Sequence, residues 1–370
     1  MNKVKQAQSE GITMSGGGLY SLATIGAKDV IDAATPLVTG AIAALGPDKL
    51  SASFTMSDMG CADAGTSLTM VSAAIDQVHT INPECAFNVV YTDQPRNDFN
   101  ALIMNIYGLG PFETYLDGRG NIFPVVSGTS FYRQIVSEGS LDIGFSATAM
   151  HWLSQKPCDI SDHVQAVGAS GSELEQFKNQ AKSDWQQILL HRARELKPGG
   201  KLILINFGRD EQGRYLGNTG GINMFDTFNN NWLKFVKEGR ISDDEYKRMT
   251  LPQYYNSVEE FSAPLTDKDN PVYQAGLRLD SIETRVVECP FARSHEDHGD
   301  AQKFAKEYIP TIRSWNESIF FNGLSTDRPE QERREVIEDY YQTYQDLVAE
   351  NPEGHGMDYV HAYTVISKVS

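Results

Sequence analysis

Strand-like and helix-like segments alternate along most of this chain, and that alternation restricts the possible folds more than any other feature. The spacing predicts a buried strand over 52–57 and a helix over 66–80, with Leu68, Val71, Ala74, Ile75 and Val78 on one face. A strand over 86–92 and a helix over 97–107 follow, then strands over 121–126 and 140–146. A long helix is expected over 173–196, where Leu174, Phe177, Ala181, Trp185, Ile188 and Leu189 recur at spacings of three and four. Lys197, Pro198, Gly199 and Gly200 end it, and 201–207 is the fifth strand. Such alternation produces right-handed crossovers and a mostly parallel sheet. The unbroken apolar run from Leu202 to Ile205 suits a strand covered on both faces.

The pattern changes after Arg209. Residues 210–275 show helical stretches and turn signals but no clear strand, and Phe225, Phe228, Trp232 and Phe235 have helical spacing. A strand is expected over 279–288, helices over 300–320 and 329–349, and a last strand over 360–368. The expected architecture is one doubly wound α/β sheet with a helical cap. Its core takes residues 1–209 and 276–370, and the cap takes 210–275 with parts of 300–350.

Charge and cysteine usage narrow the function. Lys and Arg total 32 against 49 Asp and Glu, a formal charge of −17, which disfavours non-specific nucleic-acid binding. Cys61, Cys85, Cys158 and Cys289 are far apart and lack CxxC spacing, against a disulfide framework or a zinc knuckle. No apolar run approaches the ~18–20 residues of a membrane span, and residues 1–14 lack an apolar signal core. The expected location is therefore the cytoplasm. His295-Glu296-Asp297-His298 has a metal-like spacing, but a charged surface loop is the expected outcome and no metal is expected there.

The strand ends point to a small-molecule site. The first strand closes on Asp58-Met59-Gly60-Cys61-Ala62-Asp63-Ala64-Gly65, whose small residues let a ligand approach the backbone. Ala62 stands where a dinucleotide fingerprint has its second glycine, which counts against a nicotinamide dehydrogenase. Asp93, ending the second strand, is placed to accept hydrogen bonds from both hydroxyls of a ribose. A first-strand acid with small residues, then a second-strand acid, is the arrangement that holds S-adenosylmethionine. Gly128-Thr129-Ser130-Phe131-Tyr132 and Ser146 to Ser154 converge on the same cleft edge.

Five segments in order carry a more specific likeness: Gly16-Gly17-Gly18-Leu19-Tyr20-Ser21, Asp58-Met59-Gly60-Cys61, Asp93-Gln94-Pro95-Arg96-Asn97-Asp98-Phe99-Asn100, Gly128-Thr129-Ser130-Phe131-Tyr132 and Met150-His151-Trp152-Leu153-Ser154. Pro198-Gly199-Gly200-Lys201 and Leu251-Pro252-Gln253-Tyr254 are weaker echoes. On these segments the chain resembles the SABATH family of carboxyl methyltransferases, which act on small acids and in some members on xanthine nitrogens.

The resemblance implies a class I methyltransferase fold and S-adenosyl-L-methionine as cofactor, bound by residues matching Tyr20, Thr24, Asp58, Gly60, Cys61, Asp93, Gln94, Ser130, Phe131 and Ser146. It implies a small carboxylic acid as substrate, no metal, and a homodimer. Trp152 matches the family's tryptophan N–H that holds the carboxylate, whereas the glutamine that shares this task falls on Ala27. His151 is a candidate replacement, as are Gln94 and a polar group from the cap. Phe207, Phe225 and Tyr254 are expected in the acid pocket. The loss at Ala27 leaves N-methylation of a heterocycle open, beside a cofactor-binding protein without turnover.

Overall fold

The computed structural model describes residues 19–50 and 52–369, so Gly16, Gly17 and Gly18 of the first matched segment lie outside the described residues. In chain order the elements are α1 (Leu19–Ala23), α2 (Ile25–Leu45), β1 (Ser53–Met59), α3 (Leu68–Ile81), β2 (Ala86–Thr92), α4 (Phe99–Ile106), β3 (Ile122–Ser127) and β4 (Leu141–Ala147). Then come α5 (Gly171–Glu195), β5 (Leu196–Arg209), α6 (Met224–Lys237), α7 (Asp243–Arg248), β6 (Asn256–Ser257), α8 (Val258–Thr266) and α9 (Pro271–Gln274). The chain continues through β7 (Leu277–Val287), α10 (Pro290–His298), α11 (Ala301–Gly323) and α12 (Glu330–Glu350) to β8 (Tyr359–Lys368).

The sheet order is β3-β2-β1-β4-β5-β8-β7, with the two-residue β6 paired beside the end of β5. β1 to β5 are parallel. β8 pairs antiparallel with both β5 and β7, so it alone runs against the rest. Both faces are covered, as the apolar run in β5 requires. Ile203 and Ile205 join the large core that includes α2, α3 and the aromatic helices α6, α11 and α12. Leu202 and Leu204 face Trp185, Ile188 and Leu189 of α5 and Phe261 of α8.

Three features depart from the expected elements. The residues of α2 were not singled out by the spacing, because Pro36, Gly26, Gly40 and three threonines nearby dilute its signal. Its buried face is nonetheless regular: Ala27, Val30, Ile31, Ala34, Val38, Ala41 and Ile42. β5 starts at Leu196, which pairs with Leu141 across a register shift, so the Pro-Gly-Gly segment lies inside the strand. Residues 210–275 do contain one strand, β6, whose Asn256 and Ser257 pair with Gly208 and Arg209.

Local signals explain where the helices of this segment begin. The Asn223 side chain accepts the N–H groups of Phe225 and Asp226 and starts α6. Ser242 with Glu245, and Ser257 with Glu260, form reciprocal capping boxes at α7 and α8. Behind them Trp232 stacks on Tyr340 of α12 at 3.9 Å. His295 and His298 lie on α10 rather than in the expected loop, and His295 stacks on Phe304. Among the described residues no group of three or more His, Cys, Asp or Glu is placed to hold a metal.

Candidate active site

The carboxyl ends of β1, β2, β3 and β4 meet at one edge of the sheet, where an open α/β fold takes its ligand. The turn after β1 uses backbone that few side chains adopt. Gly60 has φ 77°, Ala62 has φ 47° and Ala64 has φ 59°. An alanine in this region costs about 1–2 kcal/mol, so its surroundings must hold it. Asp93 does so: its carboxylate accepts the Ala62 N–H at 2.8 Å and its neighbour Gln94's N–H at 2.7 Å. Asn97 Nδ2 donates to the Ala62 carbonyl at 2.7 Å. At Gly60 a Cβ would stand 2.5 Å from the Ala149 Cβ, so only bare backbone fits.

A cleft opens over this turn, walled by Tyr20, Asp93, Gln94, Ser130, Phe131 and Trp152 among others. Burial raises the Asp93 carboxyl, against the two backbone N–H groups that favour its charge. Burial likewise pushes the Tyr20 phenol up to about 12, so it stays protonated. The short helix carrying Tyr20 is tied down at both ends. Ser21 bonds the Asp63 carboxylate through its hydroxyl and its N–H, and Thr311 of α11 donates to the Ala23 carbonyl at 2.6 Å.

A second chamber adjoins the first, walled by Thr24, Ala27, His151, Phe207, Gln253 and Trp315 among others. Tyr20, Thr148 and Trp152 belong to both walls, so they form the partition. Thr148 holds φ 53° there, which turns the chain sharply after β4 and aims the next residues at the partition. Among the described residues the Trp152 indole N–H has no acceptor. His151 packs edge-on against Phe207 at 4.8 Å, and burial lowers its pKa to about 3, so it is neutral. Its Nδ1 is buried without a partner.

Not every expected residue reaches a cavity wall. Tyr20, Gly60, Asp93, Gln94, Ser130 and Phe131 line the cleft, while Thr24 lines the second chamber. Asp58, Cys61 and Ser146 stand behind the walls. The Asp58 carboxylate accepts the Ser67 hydroxyl at 2.6 Å, and the Ser146 hydroxyl donates to the Met59 carbonyl at 2.7 Å, which fastens β4 to β1. Burial pushes the Cys61 thiol well up, so it is a poor nucleophile. Trp152, His151 and Phe207 line the second chamber. Phe225 sits one layer back, against Trp315 and Tyr255, and Tyr254 points away to Arg209 and Glu260.

Three further positions at the candidate site were not named as site residues from the sequence. Arg192 of α5 is wholly buried and donates to the carbonyls of Phe131 and Arg133 at 3.0 and 2.8 Å, which holds the loop after β3. Thr148 and Gln253 are the others. Only the polar character of Gln253 beside Pro252 hinted at its place.

The comparisons with known proteins agree with this geometry. The family model described as SAM dependent carboxyl methyltransferase matches residues 12–369. Indole-3-acetate O-methyltransferase 1 of Arabidopsis thaliana is 27% identical over 281 residues, 70% of each chain. Salicylate carboxymethyltransferase of Clarkia breweri is 23% identical over 348 residues, 91% of each. A solved structure of loganic acid methyltransferase with SAH superposes with a TM-score of 0.73 at 20% identity, covering 96% of this chain and 99% of that one. With a match over nearly its whole length, this chain belongs to the SABATH family of S-adenosylmethionine-dependent carboxyl O-methyltransferases.

Proposed function

We propose that the protein converts a small monocarboxylic acid with an apolar body into its methyl ester, the acid lying in the second chamber and its carboxylate reaching the partition. The observation that carries this reading is Trp152, which walls both cavities and has an indole N–H with no acceptor among the described residues. An indole N–H donates but cannot accept, so it orients a carboxylate oxygen without competing for the methyl group.

The residues of the cleft fit S-adenosylmethionine. Asp93 offers a buried acceptor at the end of β2, Gly60 offers bare backbone, and Phe131 offers a ring face. When bound, that cofactor supplies a methyl group on a sulfonium. Aromatic faces such as Phe131 and Tyr20 favour a nearby cation by ~0.5–2 kcal/mol. A carboxylic acid of pKa ~4 is ionised at neutral pH, so its oxygen needs no base. A His151 held neutral suits that chemistry, since it neither withdraws nor donates a full charge at the acid. The work left to the protein is alignment and exclusion of water.

The walls of the second chamber favour an apolar monoacid. Phe207, Leu216, Trp315, Met357 and Tyr359 contribute ring and aliphatic surface, and no lysine or arginine lines it among the described residues. Of Arg96, Arg209 and Arg214, the residues that could have received a second carboxylate, Arg209 and Arg214 are engaged with Tyr254 and Asp210, and Arg96 is exposed and outside the chamber wall. Residues 210–275, with parts of 300–350, supply Leu216, Gln253 and Trp315 and act as the cap of this chamber.

The test is product identification. Purified protein, methyl-labelled S-adenosylmethionine and a panel of aromatic and aliphatic monocarboxylic acids should yield a labelled methyl ester, volatile and alkali-labile. Label found only on the nitrogen of a heterocycle, or on no acceptor, would overturn the reading.

A further inference from the structure

A carboxylate has two oxygens, and one tryptophan N–H restrains only one of them. We infer that Gln253 provides the second donor, so that the acid is held by two side chains lying side by side across a single antiparallel bridge. This inference rests on the carboxyl-methylating reading of the second chamber.

The placement follows from backbone geometry. Trp152 and Gln253 form an isolated antiparallel bridge. The bonds that make it are from Leu153 N–H to the Pro252 carbonyl, 2.8 Å, and from Tyr254 N–H to the His151 carbonyl, 3.1 Å. Those bonds flank the pair, so Trp152 and Gln253 occupy a non-hydrogen-bonded site, where Cα atoms come within about 4.5 Å and side chains are closest. Side chains of such a pair project from the same face of the ribbon. Here that face is the wall of the second chamber, to which both residues belong.

The donor end of the Gln253 amide is set by Tyr255. Burial pushes the Tyr255 phenol well up, so it stays protonated and keeps an O–H to donate. Gln253 Oε1 accepts that hydroxyl at 3.1 Å. With its oxygen occupied, Gln253 keeps its two N–H donors for the chamber. Gln253 is 1% exposed, and among the described residues its Nε2 has no acceptor. A buried amide of this kind needs an acceptor, and a substrate carboxylate is the right charge and size.

The assignment also explains how this chain can carry Ala27 on α2. Ala27 presents only a methyl to the chamber, while Gln253, beside Trp152, presents an amide to the same chamber. The acid is thus gripped from the 252–254 segment rather than from α2.

Two variants of nearly the same shape test this. Gln253→Met removes both donors and the Tyr255 acceptor. Gln253→Glu keeps the shape and the acceptor for Tyr255 but places a carboxylate against a carboxylate. The measured quantities are KM and kcat for the best acid found with the wild-type protein, and the calorimetric affinity for S-adenosylhomocysteine. Gln253→Met should raise KM for the acid about 10- to 100-fold, the size of a lost hydrogen bond to a charged group. Gln253→Glu should be worse than Gln253→Met at neutral pH, with S-adenosylhomocysteine affinity unchanged in both. If Gln253→Glu matches wild type, or if both variants lose S-adenosylhomocysteine binding together, Gln253 is structural and the inference falls. A wild-type protein that makes no ester from any acid rejects the underlying reading instead, before either variant is made.

Discussion

Arg192 carries the clearest energetic consequence of this structure. Its guanidinium is fully buried and bonds Glu195 through Nε at 2.5 Å and a terminal nitrogen at 2.6 Å. The same group donates to the Phe131 and Arg133 carbonyls, in the loop that walls the cleft. Glu195, also without exposure, accepts the Ile135 N–H at 2.6 Å from that loop. Arg192→Met would leave the Glu195 charge buried with one backbone donor. Removing one partner of a buried pair costs ~3–5 kcal/mol. The double variant Arg192→Met with Glu195→Met removes the stranded charge and should regain at least half of that loss, because apolar side chains can replace a buried pair at little cost. It does not restore the two bonds to the loop. Affinity for S-adenosylhomocysteine should therefore fall about tenfold in both variants, the equivalent of ~1.4 kcal/mol. Urea unfolding and titration calorimetry read the two quantities separately. A single variant within 1 kcal/mol of wild type, or a double variant no more stable than the single, would refute this reasoning.

Three other predictions follow from the site. Gly60→Ala places a Cβ 2.5 Å from Ala149 at φ 77°, so calorimetry should show loss of S-adenosylhomocysteine binding even if the variant folds. Retained affinity would show that the turn can move. Burial, with Ser67 opposing and Asp93 adding, raises the Asp58 pKa to about 7. Its folded value lies above the unfolded one near 4, so the stability it lends at low pH is lost as pH rises from about 4 to 7. Asp58→Asn, which keeps an acceptor for Ser67, should raise the unfolding temperature at pH 8 and not at pH 4. His151 acts in the opposite direction: its folded pKa of about 3 lies below the unfolded value, so stability falls as pH drops from about 6.5 toward 3. An equal shift at both pH values for Asp58→Asn would contradict the assignment.

The strand ends were legible because a parallel sheet writes itself as alternating apolar segments. The observed β1, β2, β4 and β8 each begin or end within two residues of the expected runs. Asp93, Ser130 and Trp152 could be named because they follow strands in sequence, and chain order places strand ends at one edge. Arg192 could not be read this way. It sits in a charged run, His191 to Glu195, that reads as a solvated helix end, and only the loop folded against α5 buries it. Gln253, although part of the Leu251–Tyr254 echo, gave no sign of its neighbour for a related reason. Its neighbour Trp152 lies about a hundred positions away, and the bridge between them is a tertiary event with no local signature. Thr148 shows a third limit, since its left-handed backbone is imposed by the turn against β5, where its N–H donates to the Ile205 carbonyl at 2.8 Å. Tyr254 was expected in the acid pocket because it follows the Leu-Pro-Gln motif. Strand alternation turns it to the other face of the ribbon from Gln253, toward Arg209.

Everything turns on the partition between the two cavities, and one substitution there is decisive. Trp152→Phe keeps an aromatic ring at the partition while removing the N–H donor together with the five-membered part of the indole. Ester formation from the preferred acid, measured as kcat/KM, should fall about 10- to 100-fold, while S-adenosylhomocysteine binds within a few-fold of wild type. Unchanged kcat/KM in that variant would contradict the claim that the indole orients the acid.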